Sequence, residues 1–200
     1  MIRRLACLVV VASMAGACGM EDPEAAGAGA SDPTVNALEA SGRVEFFVTV
    51  VDADGRVFRG ESRNAAFANS MPAIRYFSDV NKAAVNARTR CTVFRFTKVV
   101  GAASPQLVDA LDSGETLQLV HFDFVRGNSN SVFQEVDLEG VRISKVEQAV
   151  APPEDFARSV VLEEVTLVPT LTATVTLTAN PLNANGSPAA SIVSEFDCGS

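Results

Sequence analysis

The sequence predicts a mainly β protein, built as a single antiparallel β-barrel or sandwich with one short α-helix at about residues 105–112. Three observations lead to this prediction. Runs of alternating residue character recur along the chain, and a period of two is typical of β-strands. Only one segment combines apolar residues at helical spacing with helix-terminating residues. The links between strands are short and rich in turn residues, which favours antiparallel neighbours within one domain.

Residues 1–17 have the composition of a secretory signal peptide. Arg3 and Arg4 form a basic start, and residues 5–14 are apolar but too few to span a bilayer as a stable helix. The small residues at 15–17 fit cleavage by ordinary signal peptidase. Together with Cys18, they also resemble the bacterial lipobox, in which the cysteine is lipidated after cleavage.

We favour the lipobox interpretation, because a cysteine directly after a cleavage point is otherwise rare. Two acyl chains on Cys18 would give stable anchoring, and Gly19 resembles the outer-membrane sorting pattern. Residues 18–42 are rich in Ala, Gly, Pro and acidic residues, which predicts a flexible tether. The other interpretation is a soluble periplasmic or extracellular protein with a free thiol. We therefore expect an exported protein that contacts membrane only through a lipid anchor.

The folded domain is predicted over residues 43–200, with a C-terminal extension from about residue 169. Gly140 falls where the alternation changes phase, which indicates a β-bulge or bend. Pro169 is taken as a break between two strands. The predicted strands cover residues 44–51, 56–59, 73–80, 92–100, 116–126, 131–150, 158–168 and 171–178.

The predicted helix has recognisable ends. Ser104 suits the N-cap, because its side-chain oxygen can accept a hydrogen bond from an unpaired backbone N–H. Pro105 suits the first helical position, where its missing N–H costs nothing. Gly114 follows where a left-handed C-terminal residue is favoured. An apolar stripe at helical spacing is formed by Leu107, Val108 and Leu111.

The four cysteines separate by position. Cys7 lies in the discarded apolar segment and Cys18 is the candidate lipidation site. This leaves Cys91 and Cys198, which are expected to form a disulfide in an oxidising compartment, although two free thiols are the alternative. The bridge would tie the C-terminal tail to a core strand. It would contribute about 4–5 kcal/mol through the entropy of closing a loop of about a hundred residues.

The charge of the chain argues against nucleic-acid binding. Removing residues 1–17 takes away Arg3 and Arg4 and no acidic residue, so the formal net charge changes from −8 to −10. A nucleic-acid partner would need a basic patch, and an acidic protein gains no attraction to anionic lipid from charge alone.

No arrangement of residues typical of an enzyme or a metal site is found in the sequence. His121 is the only histidine and lies within a strand, so neither a catalytic triad nor a zinc site is expected. Glu163 and Glu164 are neighbours on a strand and point to opposite faces. Asp52 and Asp54 resemble part of a calcium loop but lack the other ligands, so a turn is expected. We predict no catalytic residues, cofactor or metal.

An ordered set of short motifs resembles the Hcp family, the tube proteins of bacterial type VI secretion. The family pattern contains a G-E-S motif, a strand ending in T-K, and S-P-x-L at the start of the only substantial helix. An aromatic-x-Arg strand and a strand of the form L-x-x-V-x-V-S-x-V follow. The resemblance covers about residues 44–168. The matching positions are residues 60–62, 94–98, 104–107, Gly114, 122–126, Leu138, Val141, Ile143, Ser144 and Val146.

The resemblance implies a compact β-barrel with a helix on its side, assembled into hexameric rings that stack into a tube carrying effector proteins. The implied partners are other copies of the chain and other secretion-system proteins or effectors. With the export signals of residues 1–18, the sequence predicts a non-enzymatic structural protein in the cell envelope. The alternative is a monomeric, lipid-anchored binding module that uses the same barrel.

Overall fold

The computed structural model describes residues 46–81, 89–126, 130–151, 159–183 and 186–198. The predicted signal peptide, Cys18 and the tether lie outside these residues. The described part contains seven strands, one α-helix and a 3-10 turn at Ala65–Phe67. The elements are β1 (Phe46–Val51), β2 (Met71–Asn81), β3 (Arg90–Val99), α1 (Ser104–Ser113), β4 (Leu119–Val125), β5 (Val132–Ala151), β6 (Val160–Ala179) and β7 (Ile192–Asp197).

The first six strands form a closed antiparallel barrel. Around the barrel the order is β1, β4, β5, β6, β3 and β2, and β2 returns to β1. Closure is made between β3 and the first half of β6, where Phe94 faces Leu167 and Val99 faces Leu162. A closed barrel leaves no unpaired edge between its neighbouring strands. The predicted fold class is confirmed.

The hairpin of β5 and β6 bends in its middle. The register shifts between Glu139 and Val141, and Gly140 has φ 67°. A Cβ added at Gly140 would lie 3.2 Å from Thr172 O and 3.3 Å from Ala173 Cα. A side chain there would face both backbone strain and a tight contact. The bulge predicted at Gly140 is confirmed.

The break predicted at Pro169 is wrong, because β6 continues through this residue to Ala179. Pro169 lies opposite Val141 of β5. On its other edge, β6 pairs with β3 through residues 162–167 and with β7 through residues 174–179. The proline falls between these two pairings, in the kind of edge position where a missing N–H is tolerated.

The interior of the barrel is packed with apolar side chains and is not a channel. Four phenylalanines at its centre have no more than 1 % of their surface exposed, and rings from β1, β2 and β4 pack edge to face around them. This close packing is the main source of stability, at about 25 cal/mol per Å² of apolar surface buried. The four residues are Phe46, Phe94, Phe96 and Phe122.

The helix lies where the sequence predicted it, and Gly114 ends it in the left-handed conformation with its N–H donated to Leu111 O. Two details differ. Val108 is 44 % exposed, and Ala110 takes its place beside Leu107 in the core. The N-cap position is Ala103 rather than Ser104, whose hydroxyl points into the protein. No helix in the described part of the chain is long and apolar enough to cross a membrane.

The segment between β1 and β2 begins with the predicted turn but does not continue as a strand. Asp52 O accepts the N–H of Gly55, and the Asp52 carboxylate accepts the N–H groups of Asp54 and Arg56. These bonds occupy Asp52 in the turn. The strand predicted over residues 56–59 is reduced to a single bridge between Val51 and Val57.

The C-terminal strand β7 extends the same edge of β6 to which β3 is paired. β7 and β3 both run antiparallel to β6, and the end of β7 approaches the start of β3. Cys198 donates its N–H to Ala173 O, and its sulfur is joined to that of Cys91, with the two Cα atoms 5.2 Å apart. The disulfide therefore links β7 and β3 end to end along β6.

Candidate functional site

A cluster of buried polar side chains, here called the charged cluster, lies where β3, α1, β6 and the segment before β2 meet. Lys98 and Glu163 are directly opposite each other in the β3–β6 pair and have no exposed surface. Glu61 and Ser104 complete the cluster. Buried charges of this kind need hydrogen-bond or ion-pair partners within the protein, because an unpaired buried charge costs several kcal/mol of folding free energy.

Lys98 is the centre of the charged cluster. Its Nζ atom donates hydrogen bonds to Val99 O at 2.9 Å and to Ser104 Oγ at 3.2 Å. It also lies 3.4 Å from Glu163 Oε1 and 3.6 Å from Glu61 Oε1. The Lys98 ammonium group thus contacts two carboxylates, the serine at the start of α1 and a carbonyl group of its own strand.

Ser104 connects the helix to the charged cluster. Its hydroxyl donates to Glu163 Oε1 at 3.0 Å and accepts the N–H of Gly101 at 3.0 Å. The other oxygen of Glu163 accepts a hydrogen bond from Gln148 Nε2 at 3.0 Å. The serine therefore fixes the position of α1 from inside the barrel, instead of capping the helix as predicted.

Glu61 is the least satisfied member of the charged cluster. Neither of its carboxylate oxygens has a hydrogen-bond donor in suitable geometry. Burial raises the pKa of Glu61, and the charge of Lys98 opposes this shift only in part. Gly101 makes room for the residue, because a Cβ at this position would collide with the Glu61 carboxylate. The neighbouring Gly60 allows the chain to approach the backbone of Ser70 closely.

The chemistry of the charged cluster is structural. Its groups are sealed from solvent, and the Lys98 ammonium is used in four contacts within the protein. The cluster holds four parts of the chain in one arrangement, a role that buried ion pairs can perform even when their net stabilisation is small.

His121 lies on the outer surface of the barrel between two carboxylates. Its Nε2 is 3.0 Å from Asp123 Oδ1 and its Nδ1 is 2.5 Å from Asp137 Oδ1. Hydrogen bonds to Asp123 and then to Asp137 raise the pKa of His121 to about 10. With both ring nitrogens acting as donors, the residue is an imidazolium at neutral pH and has no lone pair to offer a metal.

The residues predicted from the sequence are thus distributed over separate places. Cys91 and Cys198 are joined, Glu163 points inwards and Glu164 outwards, and His121 takes part in an ion-pair cluster. Among residues 46–81, 89–126, 130–151, 159–183 and 186–198, no group of three or more His, Cys, Asp or Glu side chains is arranged to hold a metal ion.

The charged cluster was not predicted from the sequence. The available signal was the position of Lys98 on the inward face of its strand with Phe94 and Phe96, and of Glu163 on the inward face with Val165. Two opposite charges at inward positions of different strands indicate a buried pair. Finding it also requires the pairing of β3 with β6.

A closed six-stranded antiparallel barrel, with one lateral helix and a buried polar cluster used in packing, defines the fold as a small β-barrel. A family profile described as Type VI secretion system effector, Hcp, matches residues 47–178. The chain belongs to the Hcp family. The resemblance found in the sequence is therefore confirmed, and three of its motifs supply Glu61, Lys98 and Ser104 to the charged cluster.

Solved structures share the fold at low sequence identity. An Hcp1 double mutant from the E. coli EAEC 042 pathovar has a TM-score of 0.62 and 19% identity, covering 78% of this chain and 99% of its own. A type VI secretion system effector from Yersinia pestis has a TM-score of 0.59 and 20% identity, covering 76% and 98%. The secreted protein Hcp3 from Pseudomonas aeruginosa has a TM-score of 0.55 and 16% identity, covering 76% and 98%. No match is found among curated proteins.

Proposed function

We propose that this chain is a non-enzymatic structural protein of the Hcp family that is exported to the cell envelope and assembles into a hexameric ring. The family match carries the proposal, since residues 47–178 extend from β1 almost to the end of β6 and so include the whole barrel. Ring assembly is implied by the resemblance to tube proteins. A cyclic ring needs two different surfaces on each subunit and no catalytic group.

Export is supported by two features in different parts of the chain. Residues 1–17 have the pattern of a signal peptide, and Cys18 follows a lipobox-like sequence. The disulfide between Cys91 and Cys198 belongs in an oxidising compartment, because cytoplasmic thiols are kept reduced. We propose an outer-membrane lipoprotein, with a periplasmic or extracellular protein as the unlipidated form.

The oligomeric state distinguishes the proposed ring from the second candidate, a monomeric lipid-anchored binding module. The lipobox-like sequence at Cys18 favours this second candidate, because a chain anchored to the membrane could not join a tube that is assembled in the cytoplasm. We expect the exported chain carrying Cys18→Ser to have six times the monomer mass by size-exclusion chromatography with light scattering. A monomer across the accessible concentration range would contradict the ring and favour the binding module.

The lipid anchor is tested by metabolic labelling. Cells expressing the full chain are fed labelled palmitate, and the Cys18→Ser variant serves as the comparison. We expect label on the unsubstituted chain and none on the variant, because only Cys18 follows the cleavage motif. Equal labelling of the two chains, or none in either, would exclude lipidation at Cys18.

A further inference from the structure

One outer side of the barrel is strongly acidic. It consists of the outward-facing residues of β4, the first half of β5, the second half of β6 and β7, and is called the acidic face. In the register of these strands, Asp137 faces Thr176, which in turn faces Glu195. His121 is the only basic side chain among these positions. The six carboxylates are those of Asp123, Glu135, Asp137, Glu139, Glu195 and Asp197.

Four of the six carboxylates on the acidic face have no cationic partner among the described residues. His121 is bound to Asp123 and Asp137, and Asp197 accepts a hydrogen bond from the neutral hydroxyl of Thr174. The other three are on or near the surface, and none takes part in an ion pair with a described residue. They are Glu135, Glu139 and Glu195.

A second outer side carries most of the cations of the barrel surface. It is formed by β2, β3, the first half of β6 and the second half of β5, and is called the arginine face. Arg95 is 3.7 Å from Glu164, and Lys145 is 2.7 Å from Glu147. Arg75 and Arg142 are exposed and have no carboxylate partner among the described residues.

The arginine face contains a shallow groove in which one buried donor lacks an acceptor. Its volume is about 460 Å³, and its lining includes Arg75, Phe77, Arg95 and Glu164. Phe77 is 48 % exposed, and the guanidinium of Arg95 lies over its ring at 4.7 Å. The Nε atom of Arg95 is buried without a hydrogen-bond acceptor. A carboxylate from outside the subunit would supply what this groove lacks.

The two faces lie on different sides of the barrel. In the closed order β1, β4, β5, β6, β3, β2, strand β4 of the acidic face is three places from β3 of the arginine face. The long strands β5 and β6 contribute one half to each face, and the bend of their hairpin at Gly140 separates the two halves. Two complementary surfaces on different sides of one subunit are what a head-to-tail contact between identical chains requires.

We propose that the acidic face of one subunit binds the arginine face of the next, and that this contact closes the ring. The proposal rests on the proposed ring assembly and names the surfaces that form it. A second copy of the chain is the favoured occupant, because the acidic face carries carboxylates without a cation and the arginine face, which also holds Asp79, Glu147 and Glu164, carries two arginines without a carboxylate partner. Such complementarity selects the partner and orients it during association.

The test uses charge reversals on each face in the exported chain carrying Cys18→Ser. The first variant combines Glu139→Lys and Glu195→Lys, and the second combines Arg75→Glu and Arg142→Glu. All four positions are exposed, so the folded subunit should tolerate the changes. Each variant presents like charges across the contact, and we expect the concentration for half-assembly to rise by about tenfold or more.

Mixing the two variants gives the decisive measurement. The acidic face of the first variant, which now carries lysines, can bind the arginine face of the second, which now carries glutamates. The unchanged acidic face of the second variant can bind the unchanged arginine face of the first. An equimolar mixture should therefore recover the assembled mass by light scattering, in rings in which the two variants alternate. Raising the salt concentration should weaken assembly of the unsubstituted chain, because solvent-exposed charges are screened.

Matched controls carry the same charge changes outside both faces. Asp109→Lys with Asp112→Lys lies on α1, and Arg59→Glu with Arg63→Glu lies in the segment before β2; all four positions are exposed. Both controls should assemble like the unsubstituted chain. If the face variants also assemble normally, or if mixing restores nothing, the proposed contact is wrong while the ring stands. If the unsubstituted chain is a monomer, the ring itself is excluded, and the contact with it.

Discussion

Replacing Lys98 with methionine is expected to lower the free energy of unfolding by about 3–5 kcal/mol at pH 7, the usual cost of removing one partner from a buried charge pair. The substitution keeps the length of the side chain and removes its charge. It leaves Glu163 with only Ser104 and Gln148 as donors, and leaves Glu61 with no cation nearby. The measurement is urea denaturation followed by circular dichroism.

The dependence of this loss on pH identifies its cause. Burial already raises the pKa of Glu61. A buried carboxyl with a raised pKa is stabilising in its protonated form, below the unfolded pKa, and this stabilisation is lost as the pH rises through the folded pKa. Without Lys98, the largest effect that opposes burial is removed and the pKa of Glu61 should rise further, so the loss of stability should be smaller at pH 5 than at pH 7.

Two further variants make the Lys98 prediction specific. Lys145→Met removes an exposed lysine that is paired with Glu147, and should cost no more than about 1 kcal/mol. Adding Glu61→Gln to Lys98→Met should recover part of the stability, because one uncompensated carboxylate is removed. A Lys98→Met protein as stable as the Lys145→Met protein would show that the charged cluster contributes little.

Loss of the disulfide is expected to lower the free energy of unfolding by a similar amount. Replacing both Cys91 and Cys198 with alanine opens a loop with a sequence separation of 107 residues. In the chain-entropy model, such a loop is worth about 4–5 kcal/mol of unfolding free energy. We expect a loss of this size by urea denaturation in the Cys18→Ser background, together with faster amide hydrogen exchange in β7.

Reduction of the unsubstituted disulfide provides the control for this double substitution. Reductant should destabilise the Cys18→Ser chain by a similar amount and have no effect on the double alanine variant. Non-reducing mass spectrometry after alkylation should find neither cysteine modified in the unreduced protein. Alkylation of both cysteines would mean that the bond does not form in the native protein.

Local features of the chain were predictable from the sequence because their causes are local. The C-terminal end of the helix follows from Gly114, which adopts φ 64°, and the bulge of β5 follows from a phase change at Gly140. Each depends on a few neighbouring residues. The family resemblance was also readable, since its motifs are short and ordered along the chain.

Features that depend on strand pairing were not predictable in the same way. Ser104 has the residue type of an N-cap, but its hydroxyl is used by Lys98 and Glu163, which are brought there by the pairing of β3 and β6. Pro169 has the residue type of a strand break, yet it lies in a gap between two partner strands. In both cases, tertiary contacts override the local preference.

The link between β7 and β3 has a consequence for how the protein bears mechanical load. β7 pairs with β6 only through residues 174–179. Without the disulfide, a force applied at the end of β7 would break those hydrogen bonds one at a time. With the disulfide in place, a force applied at Cys198 is transmitted through the covalent bond to Cys91, at the start of β3. Because β3 is held between β2 and β6, the force must shear two strand pairings together before the chain can extend.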